Sequence, residues 1–345
     1  MEKVKRILIC RSDGIGDLVL TLPLFKAARA AFPNATISAL VSPASAPLLE
    51  GNPDVDSVIL DDQGRNHKGP AGYMRLSKLI DAGDFDTALA PYANWRLLSL
   101  IVAAGIKRRV ANGFRSYLPL VNKPVWIHRS HPPIHETTYC LAFLRPLGVD
   151  VASPAMPRIY LRSDEREWIS QFLASKGVNK DDKTIALNPG SGRTMSPDRW
   201  VRIADIAGKR TGADKILVTG ALFERSHCER IAAALGDRAI VLAGELDLRR
   251  FCALAEQLDL LIAPHCGELQ LASAMDTKVL GLYSQLRSLS AEKWHPLGNK
   301  VATITPFDMR CKKCKHEKCD LFPCLDYIKD EAVGEALSKL LEKPD

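Results

Sequence analysis

The chain has 345 residues, 46% of them hydrophobic and 25% charged, with a mean hydropathy of −0.06. These values belong to a folded protein with a buried core and exclude disordered, collagenous and fibrous classes, and the length suits two domains. A formal charge of +7 suits an anionic partner such as a nucleotide, a phosphorylated lipid or an acidic membrane surface, and is too mild to indicate nucleic acid.

Short aliphatic or β-branched runs alternate with longer amphipathic ones, the rhythm of βα units around a parallel sheet. In chain order, strands are predicted at 6–10, 36–41, 57–60, 87–90 and 109–111, with helices at 17–31 and 71–82 between them. The most apolar run, 97–106, is about half of the roughly 20 residues a membrane span needs, and Arg11 cuts short the apolar start; a transmembrane helix and a secretory leader are therefore not expected. Pro154 and Pro157 interrupt the rhythm, and a helix is predicted at 164–176. A second series then follows, with strands at 184–188, 215–219, 239–242, 258–263 and 278–282 and helices near 197–210, 224–235, 247–256 and 268–274. The reading is an α/β protein of two doubly wound Rossmann-like domains facing across a cleft: 1–155, a linker at 156–180, 181–325, and a last helix within 326–345. Open parallel sheets bind ligands beyond the carboxyl ends of their strands, so those loops are where chemistry is sought.

The first such loop, Arg11-Ser12-Asp13-Gly14-Ile15-Gly16-Asp17, lets the backbone approach a ligand and sets Asp17 at a helix start, either as a general base or as a first-turn acid. It is not a dinucleotide fingerprint, because Val19 stands where a third glycine is required, which argues against a dehydrogenase. The second, Asn188-Pro189-Gly190-Ser191-Gly192-Arg193, brings glycine amides, the Ser191 hydroxyl and the Arg193 guanidinium toward a diphosphate, or is an ordinary Asn-Pro-Gly turn. The third carries Glu224 after Gly220, an acid for ribose hydroxyls or a residue favoured by the helix dipole. The fourth, His265-Cys266-Gly267-Glu268-Leu269-Gln270, leads from a strand into a helix whose amides can face a phosphate. No cysteine, histidine and acid recur in an order that argues for a thiol nucleophile. Nine cysteines without a leader imply reduced thiols in a cytoplasm. Four of them, Cys311, Cys314, Cys319 and Cys324, lie within fourteen residues beside Lys312, Lys313, Lys315 and Lys318. They suit either a tetrahedral metal site or a basic loop of buried or redox-labile thiols. The basic residues Arg11, Lys107, Arg108 and Arg109 are either acceptor contacts or a solvated face.

Together these stretches resemble the heptosyltransferases of glycosyltransferase family 9. The resemblance rests on residues 7–23, on Gly51-Asn52-Pro53-Asp54-Val55-Asp56, on Asn188 to Gly192, and on Gly267 with Leu271-Ala272. It rests also on Trp294-His295-Pro296 and on the cysteines before Tyr327-Ile328. The resemblance implies a GT-B fold, with the acceptor on the amino-terminal domain, the nucleotide sugar on the other, and a last helix that crosses back. It implies an inverting transfer with Asp17 as base, without cofactor or metal. The donor would be held by Asn188, Ser191, Gly192, Arg193, Glu224, His265, Cys266, Gly267 and Glu268, and the acceptor would be met by Arg11 and Gly16. It further implies ADP-heptose or a related nucleotide-diphosphate sugar as donor and a lipopolysaccharide core or lipid-linked glycan as acceptor. The place of work would be the cytoplasmic side of the inner membrane, peripherally bound and without nucleic acid. The chain departs from the pattern where the family has Asp-Thr-Gly-x-x-His, since His265 and Gln270 replace the aspartate and histidine; Met195 and Ser196 replace a usual tryptophan and its neighbour. Two other readings remain at this level: a nucleotide-sugar or glycan binder of the same fold without turnover, and a four-cysteine metal module that docks a nucleic acid or protein.

Overall fold

Short hydrophobic runs buried on both faces are what the central strands of a parallel sheet covered by helices require, and the chain places them at the centres of two six-stranded sheets. The computed structural model describes residues 4–129, 134–190, 195–306 and 318–342. It divides into two compact units, Met1–Tyr160 and Leu161–Asp345.

The first unit holds β1 (Arg6–Arg11), β2 (Thr36–Val41), β3 (Ser57–Leu60), β4 (Thr87–Ala90), β5 (Arg108–Asn112) and β6 (Lys123–Val125), all parallel, in the order β3-β2-β1-β4-β5-β6. Ile7, Leu8 and Ile9 at its centre are fully buried, while β3 on the edge is largely exposed. The second unit repeats the plan with β7 (Thr184–Leu187), β8 (Lys215–Val218), β9 (Ala239–Val241), β10 (Leu260–Pro264), β11 (Val279–Leu282) and β12 (Val301–Ile304), in the order β12-β11-β10-β7-β8-β9. In each unit the strand order reverses beside the first strand, between β1 and β4 and between β7 and β10. Loops leaving β1, β7 and β10 therefore stand at the switch points where such sheets bind ligands.

Three expectations change. Each sheet has a sixth strand, β6 and β12, which the sequence pattern hides: β6 is three residues containing Pro124, and β12 is only half-buried. The helix expected at 17–31 is two helices, Ile15–Val19 and Leu22–Ala31. Pro23 has no N–H for the Val19 carbonyl and its ring crowds that oxygen, so the chain bends and the Thr21 hydroxyl donates to the Asp17 carbonyl (2.7 Å). The segment expected as linker, 156–180, contains the helix Ser163–Ser175, whose Glu165 accepts from Arg249 of the second unit at 2.5 and 2.7 Å; the division of the chain falls just ahead of it. The last helix, Asp330–Leu341, buries Val333, Leu337 and Leu340 in the second unit's core with Trp200 and Ile203 of the helix Pro197–Thr211. Among the described residues no helix is long and apolar enough to cross a membrane.

Candidate active site

The β1 loop builds a charged cluster. Arg11, the last residue of β1, has no exposed side-chain surface. A buried guanidinium must be surrounded by acceptors, and it finds three carboxylates: its Nε donates to Asp13 (2.7 Å) and its Nη2 to Asp17 (2.5 Å) and to Glu136 (3.0 Å). Glu136 begins the helix Glu136–Leu141, is fully buried, and takes two further bonds from Arg129 at 2.6 and 3.0 Å. Arg129 also lies 3.8 Å from Asp17. Burial opposes charge on Glu136, yet the two guanidiniums hold its carboxyl below the ordinary value. Burial pushes the Asp13 carboxyl up to about 6, with Asp17 adding to the rise and Arg11 working against it. Three carboxylates against two guanidiniums leave one negative charge when all are ionised, and Asp13, where burial outweighs Arg11, is the acid of the set whose carboxyl is raised.

Asp17 is the member of the cluster with most access, its carboxyl 24% exposed against 16% for Asp13 and none for Glu136. Its placement depends on Gly14, where a Cβ would stand 2.5 Å from Asp17 Oδ2. Gly16 lies half-buried in the same short helix. Arg11, expected to meet an acceptor, is buried and gives its donors to carboxylates, Asp17 among them. Arg108 and Arg109 open β5, at the end of the sheet opposite the β1 loop. Arg108 pairs with Asp86 (3.0 Å), and Arg109 donates to the carbonyls of Ile106 and Leu120.

In the second unit the expected residues gather at one edge. Asn188, buried after β7, donates from its side chain to Thr219 (3.2 Å) at the end of β8 and from its amide to Ile262 of β10 (3.0 Å), so it ties three strand ends together. Gly190 adopts φ +66° beside Pro264, a conformation that strains any other residue. Ser191, Gly192 and Arg193 lie outside the described residues. The start of the next helix, Pro197–Thr211, is closed to an anion: Ser196 caps the Arg199 amide, Pro197 has no N–H, and Asp198 is acidic. Met195, in place of the family's tryptophan, is fully buried. Glu224 uses one carboxylate oxygen to accept from its own loop at Ala221 N (2.8 Å), packed against Gly220.

The helix Gly267–Ala274 has Cys266 before it and no oxygen side chain capping it; the first amides, of Glu268 and Leu269, face the Cys266 sulfur, a weak acceptor that an anion can displace. Burial and the neighbouring Glu268 push the Cys266 thiol well above its ordinary value, so it is no thiolate nucleophile. His265 sits between the rings of Tyr283 and Trp294, with centroids at 5.6 and 5.5 Å. Gln270, in place of the family histidine, is buried and donates to the Trp294 carbonyl (2.6 Å), which also accepts from Tyr283 (2.8 Å). The departure from the family pattern is thus built into the packing of residues 283–295. Of the four clustered cysteines, Cys311 and Cys314 lie outside the described residues. Cys319 and Cys324 are half-buried, and no metal-ligating group is formed among the described residues.

Glu136 and Arg129 escaped the sequence reading. Glu136 is 125 residues from Arg11, beyond any local spacing rule; the nearest signal was an acid opening a helix.

Two doubly wound units of identical strand order, with glycine-bearing loops at the switch points, define the GT-B class of glycosyltransferases. The chain belongs to glycosyltransferase family 9, the heptosyltransferases, whose family model matches residues 73–324. It is 22% identical over 307 residues to the lipopolysaccharide core heptosyltransferase OpsX of Haemophilus influenzae, covering 87% of this chain and 85% of that protein. Its fold is similar to that of the family 9 glycosyl transferase from Veillonella parvula, with a TM-score of 0.85, 21% identity, and 98% and 97% of the two chains covered. It is also similar to ADP-heptose lipopolysaccharide heptosyltransferase II of Escherichia coli, with a TM-score of 0.74, 19% identity, and 98% of each chain covered.

Proposed function

We propose that this glycosyltransferase moves a heptose, or a closely related sugar, from a nucleotide-diphosphate donor, ADP-heptose in the first instance, to a lipopolysaccharide core or similar glycan. Asp17 serves as the general base. The observation that carries the reading is the Arg11, Arg129 and Glu136 frame, which holds Asp17 in place as the most accessible carboxylate of the cluster. Such a group accepts the acceptor hydroxyl's proton as the oxygen attacks the anomeric carbon. The bond from that carbon to the diphosphate breaks on the opposite face, and the electron pair leaves with the nucleotide. Amides of the β7 loop and of the helix Gly267–Ala274, with Arg193, take up the growing charge, and Asn188, Glu224 and His265 shape the donor side. Gly16 lets the acceptor approach closely. Enzymes that act on such an acceptor work at the inner membrane surface, and the +7 charge suits peripheral attachment there.

The test is nucleotide release from ADP-heptose and from UDP, GDP and CDP sugars, with truncated lipopolysaccharide as acceptor. Release that needs the acceptor and falls at least about 10²-fold in Asp17→Asn is expected. Wild-type rates in a folded Asp17→Asn protein would remove the base assignment, and nucleotide-sugar binding without release would make the protein a binder.

A further inference from the structure

Aromatic side chains stand exposed at the carboxyl ends of β5 and β6. Phe114 and Trp126 are 46% and 60% exposed, and the exposed His128 ring lies flat on Phe114 with centroids 3.9 Å apart and planes 16° apart. Trp126 meets Phe114 edge to face at 5.2 Å. Large aromatic faces left in water lose the hydrophobic stabilisation of burial, so a held and exposed set marks a binding surface.

These rings are held by their surroundings. Trp126 lies across Gly113, where a Cβ would come within 2.7 Å of the indole, and Gly113 N donates to Val125 O (2.9 Å) to tie the two strand ends together. Buried Asn112 braces both sides: its side-chain oxygen accepts from the Phe114 amide (2.8 Å), and its side-chain nitrogen donates to the Ile127 carbonyl (2.8 Å) and to the Tyr139 hydroxyl (3.1 Å). On the same turn, Ser116 accepts from the exposed Trp95 indole (3.2 Å), and Arg115 is exposed.

The platform adjoins the acid cluster. Arg129 follows His128 directly in the chain, binds Glu136, and sits over Tyr139 at 5.4 Å. Resting on the proposed transfer to a glycan, we propose that Phe114, Trp126 and His128 form a stacking platform for sugar rings of the acceptor. The weakly positive C–H face of a pyranose lies on the electron-rich ring faces, while the exposed Arg115 meets the acidic groups of a lipopolysaccharide core. A rigid surface of this kind fixes the ring next to the reacting one and brings the hydroxyl to Asp17.

The probe is a deacylated lipopolysaccharide core oligosaccharide. Its binding to the full chain without donor is read by saturation-transfer NMR, and its KM is read in the transfer assay. Trp126→Ala and Phe114→Ala are expected to raise acceptor KM about tenfold with donor KM unchanged and kcat within about twofold. Trp126→Phe keeps the flat face and stays within about threefold of wild type. Unaltered acceptor KM in both alanine variants overturns the platform while leaving the transferase reading intact. Binding of the oligosaccharide that is lost in the alanine variants, in a protein that transfers nothing, supports the platform and refutes the transferase reading. Absence of binding by the wild type overturns the platform. Tighter binding of a single-stranded oligonucleotide, lost in Trp126→Ala, assigns the rings to nucleobases and overturns it too.

Discussion

At the residue scale, the candidate site depends on small distances around one carboxylate. Gly14→Ala would drive a methyl group to within 2.5 Å of Asp17 Oδ2. The carboxylate must then turn from its bond with Arg11. The expected result is a loss of about 10²-fold in kcat with an unfolding midpoint close to wild type, read by steady-state kinetics and thermal unfolding. Asp13 bears on stability. Its folded carboxyl titrates at about 6 against an ordinary 3.8, so between those values the folded state binds the extra proton and stability falls as pH rises. The loss is complete above about pH 6. Asp13→Asn is expected to abolish a decline of about 2–3 kcal/mol between about pH 4 and pH 7, measured by urea unfolding across that range.

At the element scale, helix ends decide which loops can serve an anion. The helix Pro197–Thr211 is capped at its start by Ser196, whereas Gly267–Ala274 has no oxygen side chain at its start; two strand-to-helix junctions that look alike in sequence thus differ in how their first amides are met. The second helix is anchored through Gln270 to the Trp294 carbonyl. Gln270→Ala removes a buried donor and leaves that carbonyl to the Tyr283 hydroxyl. A loss of about 1–2 kcal/mol in stability is expected by denaturant unfolding. Glu136 is the larger case at the other site. Glu136→Gln removes the buried carboxylate that both guanidiniums bind and takes from Arg129 its bidentate ion pair, for an expected cost of about 3 kcal/mol and a fall in turnover. Glu136→Asp, which keeps the charge on a shorter arm, should recover more stability than turnover.

At the scale of the whole molecule, the two units carry separate cores and separate sets of candidate residues: the carboxylate cluster in Met1–Tyr160, the loops proposed for the nucleotide in Leu161–Asp345. Asp17→Asn should therefore bind ADP within about twofold of wild type by calorimetry, since no proposed nucleotide contact lies in its unit. A large loss of ADP affinity in that variant would mean that the carboxylate cluster takes part in donor binding.

The amino-acid sequence by itself determined the doubly wound architecture and the loops that carry the candidate residues. Hydrophobic period and glycine placement are local properties, readable within a window of a few residues. Ten of the twelve strands were legible in that way; β6 and β12 were not, because a three-residue strand with Pro124 and a half-buried edge strand have little pattern to read. Asp17 was legible as a candidate for the same local reason, but its choice over Asp13 was not. Only the tertiary structure decided that Arg11 is buried and bonded to Asp17, that Glu136 and Arg129 complete the cluster, and that Gln270 binds a distant carbonyl. Those contacts join residues up to 125 positions apart, and electrostatic neutralisation and packing act through space, where no periodicity along the chain records them.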